Sequence, residues 1–175
     1  MLAENLKKAI RDIPDFPKPG ILFKDITPLL QNPVLCKEIT QEFIKNITPG
    51  SIDAVFGIES RGFLFGMMIA EALGTPFVPV RKAGKLPYTT IREEYTLEYG
   101  TATIEIHTDA IKPGAKVMIH DDLLATGGTA EATGRLVKKA GGVVACYSFL
   151  VSLDFLMGKE KLLPFSSNII SLINY

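Results

Sequence analysis

Two periods alternate along the chain. Leu2, Leu6, Ala9, Ile10 and Ile13 recur at helical spacing, so residues 2–12 are expected as an amphipathic helix that Pro14, Pro17, Pro19 and Gly20 stop. A second helical face carries Val34, Leu35, Ile39, Phe43, Ile44 and Ile47, with Asn32 suited to its N-cap and Pro33 to its first turn. Short apolar runs bounded by turn residues predict buried strands over 53–58, 77–80, 117–119 and 143–151. Helical patterns fill the gaps at 63–73, with Gly74 at its C-cap, and at 130–140, ended by Gly141 and Gly142. Residues 101–107 alternate polar and apolar like a half-buried strand, with His107 on the polar face. The late apolar run 169–173 is expected to close the sheet. Strands alternating with helices read as an α/β fold, with a central, mostly parallel sheet flanked by helices.

Two stretches follow neither period. Residues 16–28 are apolar, Pro-rich and irregular, which suits either a connector over the core or a hood above a flat ligand. Residues 88–98 are polar and lie between Gly84 and Gly100, and they read as a mobile lid, a hairpin with little to bury it.

The chemistry concentrates at 117–129. Asp121 and Asp122 stand where the strand is expected to end. Ala125, Thr126, Gly127, Gly128 and Thr129 follow as a small, hydroxyl-rich loop that opens the next helix. Glycines let successive backbone N–H groups turn inward, and the helix N-terminus adds its dipole, so the loop suits a phosphate. A carboxylate pair repels phosphate but accepts hydrogen bonds from two vicinal hydroxyls. The implied ligand is a ribose 5-phosphate.

Two further loops carry anion-binding chemistry at strand ends, where ligands of such sheets sit. Ser60 and Arg61 occupy the tight turn 59–62 before a helix, a candidate diphosphate clamp. Arg81, Lys82 and Lys85 place three cations within five residues.

Composition narrows the alternatives. The 175 residues fit one domain, and a formal net charge of zero offers no general field for nucleic acid, so any anion site is local. Cys36 and Cys146 are far apart, which favours a reducing compartment, and His107 and His120 lack zinc-ligand spacing. The charged N-terminus resembles no signal peptide, no apolar run is long enough to span a membrane, and a cytoplasmic location is expected. Neither G-x-x-x-x-G-K-[ST] nor G-x-G-x-x-G occurs.

The stretch Asp121-Asp122-Leu123-Leu124-Ala125-Thr126-Gly127-Gly128-Thr129 resembles the 5-phosphoribosyl-1-pyrophosphate (PRPP) motif of type I phosphoribosyltransferases, in the form found in those acting on adenine. The resemblance extends, in the family's order, to 57–66, 81–87 and 97–100. It implies the type I phosphoribosyltransferase fold with an N-terminal hood and a mobile lid hairpin. The implied reaction takes adenine and PRPP to AMP and pyrophosphate, with Mg²⁺ bound mainly through PRPP and no dedicated protein metal ligands. Leu22, Phe23, Lys24 and Leu153 would line the base, and Ala125 to Thr129 would hold the 5-phosphate. Asp121 and Asp122 would hold the ribose, while Ser60, Arg61, Arg81, Lys82 and Lys85 would take the diphosphate. Glu98, Asp122 and Arg61 would be catalytic, with Tyr99 at the lid end. A homodimer and a non-proline cis peptide between Glu59 and Ser60 are also implied. His120, where the family more often has an apolar residue, and Ser152, where many members carry a carboxylate, are departures. Hypoxanthine, guanine, xanthine or orotate remains an alternative base. A regulator that binds PRPP or AMP without catalysis would need a DNA-binding domain, for which the N-terminal helix is too short.

Overall fold

The computed structural model describes residues 2–96 and 100–175. Its helices are α1 (Leu2–Ala9), α2 (Thr27–Leu30), α3 (Pro33–Ile44), α4 (Gly62–Leu73) and α5 (Gly128–Lys139). Its strands are β1 (Arg11–Pro14), β2 (Leu22–Asp25), β3 (Ala54–Ile58), β4 (Phe77–Lys82), β5 (Thr90–Thr96), β6 (Thr101–His107), β7 (Lys116–Leu124), β8 (Val143–Ser152) and β9 (Ile169–Asn174). Seven strands form one sheet in the order β5-β6-β4-β3-β7-β8-β9. The run from β4 to β9 is parallel, and β6 and β5 add antiparallel at the β4 edge.

Side chains alternate across the inner strands and feed two cores. Val55, Met118, Cys146 and Leu150 pack with α1, α3 and α4 through Leu6, Ile39, Phe43, Phe65 and Ile69. Phe56, Ile58, Val117, Ile119, Tyr147 and Phe149 pack with Leu136 and Val137 of α5. The chain leaves β3 through α4 toward β4, and leaves β7 through α5 toward β8, so the two connections diverge. The crevice between the carboxyl ends of β3 and β7 is therefore the topological switch point, where such sheets bind ligands.

Four expectations change. The first helix stops at Ala9, and 11–14 pair antiparallel with 22–25 as a two-stranded ribbon, so the connector is partly ordered by ladder hydrogen bonds. The central strand continues through both aspartates to Leu124, because β8 pairs alongside it from Lys116 to Leu124. Residues 90–96 do form a hairpin strand, yet it is docked: Glu93 is 9% exposed and pairs with Arg135 and Lys139 of α5. His107 is half-buried, with the Tyr88 ring edge-on at 6.0 Å. Asn32 caps α3 as its sequence suggests, accepting from Leu35 N at 3.1 Å. Among the described residues no helix is long and apolar enough to cross a membrane.

Candidate active site

The loop after β7 forms a small cup. A pocket of about 90 Å³ is lined by Asp121, Ala125, Thr126, Gly127, Gly128, Thr129 and neighbours at the N-terminus of α5. Gly127 is left-handed, with φ of 79°, and a Cβ there would lie 2.5 Å from Gly158 O. A Cβ on Gly158 would in turn meet Ala125 O at 2.2 Å. Backbone against backbone, two glycines hold the cup's shape.

A larger cavity of about 630 Å³ opens beside it, lined by Leu22, Phe23, Lys24, Leu123, Leu153 and Tyr175 among others. All four residues expected around the base are here. Leu123, Ala125 and Thr126 line both spaces, so cup and cavity abut. The Lys24 ammonium, however, is bound to Asp12 Oδ1 at 2.7 Å and sits 3.9 Å from the centre of the Tyr175 ring. Its charge is engaged within the ribbon and the C-terminus, which leaves its stem and backbone for the cavity.

The acid pair borders the cup through Asp121. Asp122 is 3% exposed, with Arg61 Nε 3.1 Å from its Oδ2, an ion pair without an aligned hydrogen bond. Asp121 Oδ1 accepts from Asp122 N at 2.9 Å. Burial, and then the Asp122 charge, holds the Asp121 carboxyl well above the usual carboxylate range. Burial also raises Asp122, against the pull of Arg61. Gly62 brings α4 close: a Cβ there would lie 2.8 Å from His120 O. The Arg61 guanidinium also sits 4.9 Å from the centre of the Phe23 ring, so it joins the 59–62 turn, the acid pair and the hood.

The Glu59–Ser60 peptide is cis. Glu59 collects the basic loop: its Oε2 accepts from Arg81 Nε at 3.0 Å and Lys82 N at 2.8 Å, and Lys85 Nζ binds Oε1. Burial alone would raise Glu59, but these donors outweigh it and hold the carboxyl at about 2. Arg81 and Lys85 are thus brought together and paired, while Ser60 and Lys82 stay exposed. The basic spacing was visible in sequence, but the carboxylate that gathers it was not singled out.

The departures settle into packing. His120 Nδ1 lies 2.9 Å from Ser148 Oγ, with the Phe43 ring edge-on at 5.1 Å. Burial drives its imidazole down to about 3, so it is neutral at ordinary pH. Ser152 donates to Asp154 Oδ1 at 2.6 Å, and Asp154 also pairs with Lys159 at 2.8 Å. Tyr175, Phe155 and Leu156 line the larger cavity but drew no attention in sequence. Only the parallel register of β9 on β8 carries the C-terminus there. Glu98 and Tyr99 lie outside the described residues.

Residues 25–155 match the family model of the phosphoribosyl transferase domain. The adenine phosphoribosyltransferase of Cytophaga hutchinsonii is 60% identical over 100% of this chain and 97% of its own. The chain belongs to the adenine phosphoribosyltransferases. A crystal structure of the Rhodothermus marinus enzyme superposes with a TM-score of 0.93 at 52% identity, covering 99% of this chain and 98% of that one. The Saccharomyces cerevisiae enzyme, crystallised with an imino-altritol bisphosphate and adenine, superposes with a TM-score of 0.88 at 42% identity, covering 98% of each chain. The reaction of this family joins adenine to the phosphoribosyl group of PRPP, giving AMP and pyrophosphate in purine salvage.

Proposed function

We propose that this chain carries out that transfer with the cup, the acid pair and the cavity as one site. The observation that supports this is the wall they share: Leu123, Ala125 and Thr126 border both cup and cavity. A ribose 5-phosphate anchored in the cup has its sugar beside Asp121 and Asp122 and its anomeric carbon toward the cavity. The reaction replaces the C1′–O bond to diphosphate with a C1′–N bond to the base, through a cationic sugar. The buried acid pair, once ionised, stabilises that charge, and a preorganised group of this kind contributes roughly 10²–10³ in rate.

Ala125, Thr126, Gly127, Gly128 and Thr129 hold the 5-phosphate. Ser60, Arg61, Arg81, Lys82 and Lys85 receive the diphosphate, with Arg61 reporting on both the acid pair and the hood. Leu22, Phe23, Lys24 and Leu153 enclose the base. Glu98 manages the proton at the base and Tyr99 ends the lid, a reading supported by resemblance alone. Asp121 lines the cup and would offer a hard oxygen donor to a Mg²⁺ bound mainly through PRPP. The chemistry such an ion would supply is neutralisation of the charge that builds on the leaving diphosphate.

The free, buried thiols Cys36 and Cys146 fit a reducing compartment such as the cytoplasm. Leu64 and Met67 stand 41% and 54% exposed on α4, an apolar face suited to a second copy in a homodimer, which sedimentation velocity measures directly.

The deciding experiment is pyrophosphate release from PRPP and Mg²⁺ against a panel of bases, with Glu98→Ala as a parallel arm. Adenine should turn over, and the variant should be slower by about 10²–10⁴-fold. Preference for hypoxanthine, guanine, xanthine or orotate would overturn the base assignment. Undiminished turnover by Glu98→Ala would remove that residue from the mechanism.

A further inference from the structure

We propose that Tyr95 is a positioning residue for the 5-phosphate, acting through Thr129; this rests on the phosphate-cup reading above. Tyr95 belongs to β5, far in sequence from the loop. Its hydroxyl nonetheless lies 3.2 Å from Thr129 Oγ1, and its ring crosses the first turn of α5, with Cδ2 3.8 Å from where a Cβ on Gly128 would be. The ring is half-buried against the core on the α5 side.

Other bonds hold β5 in place. Glu93 Oε1 accepts from Arg135 Nε at 2.6 Å, Lys139 Nζ pairs with Glu93 Oε2, and Lys139 Nζ also donates to Arg92 O at 3.1 Å. Arg135 is braced in turn by Glu131 at 2.6 Å. The strand therefore stays docked on α5 without the phenol hydrogen bond. That hydroxyl is free to serve something besides docking.

A threonine hydroxyl has one proton and two lone pairs. Thr129 donates its proton to the Tyr95 oxygen. A phosphate oxygen arriving in the cup is the stronger acceptor and takes that proton. The Tyr95 phenol then rotates and donates into a Thr129 lone pair. A donor behind a hydroxyl polarises it and strengthens its forward hydrogen bond. The pair thus forms a relay from β5 to the phosphate, and it also fixes the Thr129 rotamer. No such gain exists for a ligand without phosphate.

The test compares Tyr95→Phe, Thr129→Ala and the double variant by calorimetry with AMP and with adenosine. Tyr95→Phe keeps the ring and should weaken AMP about two- to tenfold, the range for one hydrogen bond, with adenosine binding unmoved. KM for PRPP should rise by a similar factor, with a smaller change in kcat. In the Thr129→Ala background, Tyr95→Phe should add nothing. Wild-type AMP affinity in Tyr95→Phe, alongside weakened Thr129→Ala, would overturn the relay and leave the cup standing. An equal loss in both backgrounds would also overturn it, since the phenol would then act by itself. Undiminished AMP affinity in Thr129→Ala would sink the cup reading, and the relay with it.

Discussion

The two walls of the cleft proposed to bind anions are built from opposite materials. The wall at 125–129 carries no formal charge; it offers backbone amides, two hydroxyls and a helix N-terminus. The wall at 59–61 and 81–85 is crowded with cations, yet three of them already have a carboxylate: Arg61 has Asp122, and Arg81 and Lys85 share Glu59. The difference matches the fates of the two anions. The 5-phosphate stays on the sugar from substrate to product, so shape and direction are what its site must supply. The diphosphate must be held as it departs and then released. Cations with built-in counter-charges would attract it without trapping it.

If the neutral wall works by shape, a change of shape should hurt it most. Gly127→Val puts a branched side chain on a left-handed backbone and 2.5 Å from Gly158 O. Strain alone at such a position costs ~1–3 kcal/mol, and the clash adds to it, so AMP affinity should fall by about a hundredfold or more. Adenine binding in the neighbouring cavity should survive, and the loss should be nearly independent of salt, as titration at two ionic strengths would show. A loss that salt relieves or deepens would mean the wall is electrostatic after all.

The charged wall should answer differently. Arg61→Ala removes a charge-assisted contact, so pyrophosphate and PRPP should bind about ten- to a hundredfold more weakly, while AMP changes much less. The effect should shrink as salt rises. The same change removes the cation that lowers the Asp122 pKa, so Asp122 should need a higher pH to ionise. The variant's activity profile should therefore shift to higher pH. An unshifted profile, or equal losses for AMP and pyrophosphate, would erase the distinction between the walls.

The two walls were also unequally legible in sequence. The neutral wall could be read directly, because its donors are consecutive backbone amides whose geometry follows from Gly127, Gly128 and the start of α5. The charged wall showed its cations but not their partners. Glu59 meets Arg81 and Lys85 only because β3 and β4 pair in parallel and end side by side. The strand–helix order was legible from short apolar runs, from the alternation at 101–107 and from period 3.6. The ribbon at 11–14 and 22–25 was not, because prolines hid a short ladder that spans the loop between them. Tyr175 reaches the larger cavity, and Tyr95 the loop at 125–129, only through tertiary contacts.

The finest test of the comparison is Glu59→Gln, which keeps the shape of the charged wall and removes its counter-charge. Arg81 Nε and Lys82 N still find an oxygen, but Arg81 and Lys85 lose their partner anion. One unit charge a few ångströms away is worth about 1 kcal/mol in water, so pyrophosphate should bind roughly fivefold tighter, with AMP unaffected. Slower pyrophosphate release should follow in single-turnover and steady-state kinetics compared side by side. Stability should change in a defined window. Glu59 has its carboxyl at about 2 in the folded chain against an ordinary 4.5. Its contribution is therefore complete above pH 4.5 and lost as pH falls toward 2. The variant should be less stable at neutral pH, and its loss of stability on acidification through that window should be shallower. Weaker pyrophosphate binding would mean that Glu59 serves to aim the cations rather than to moderate them, and the release argument would fail.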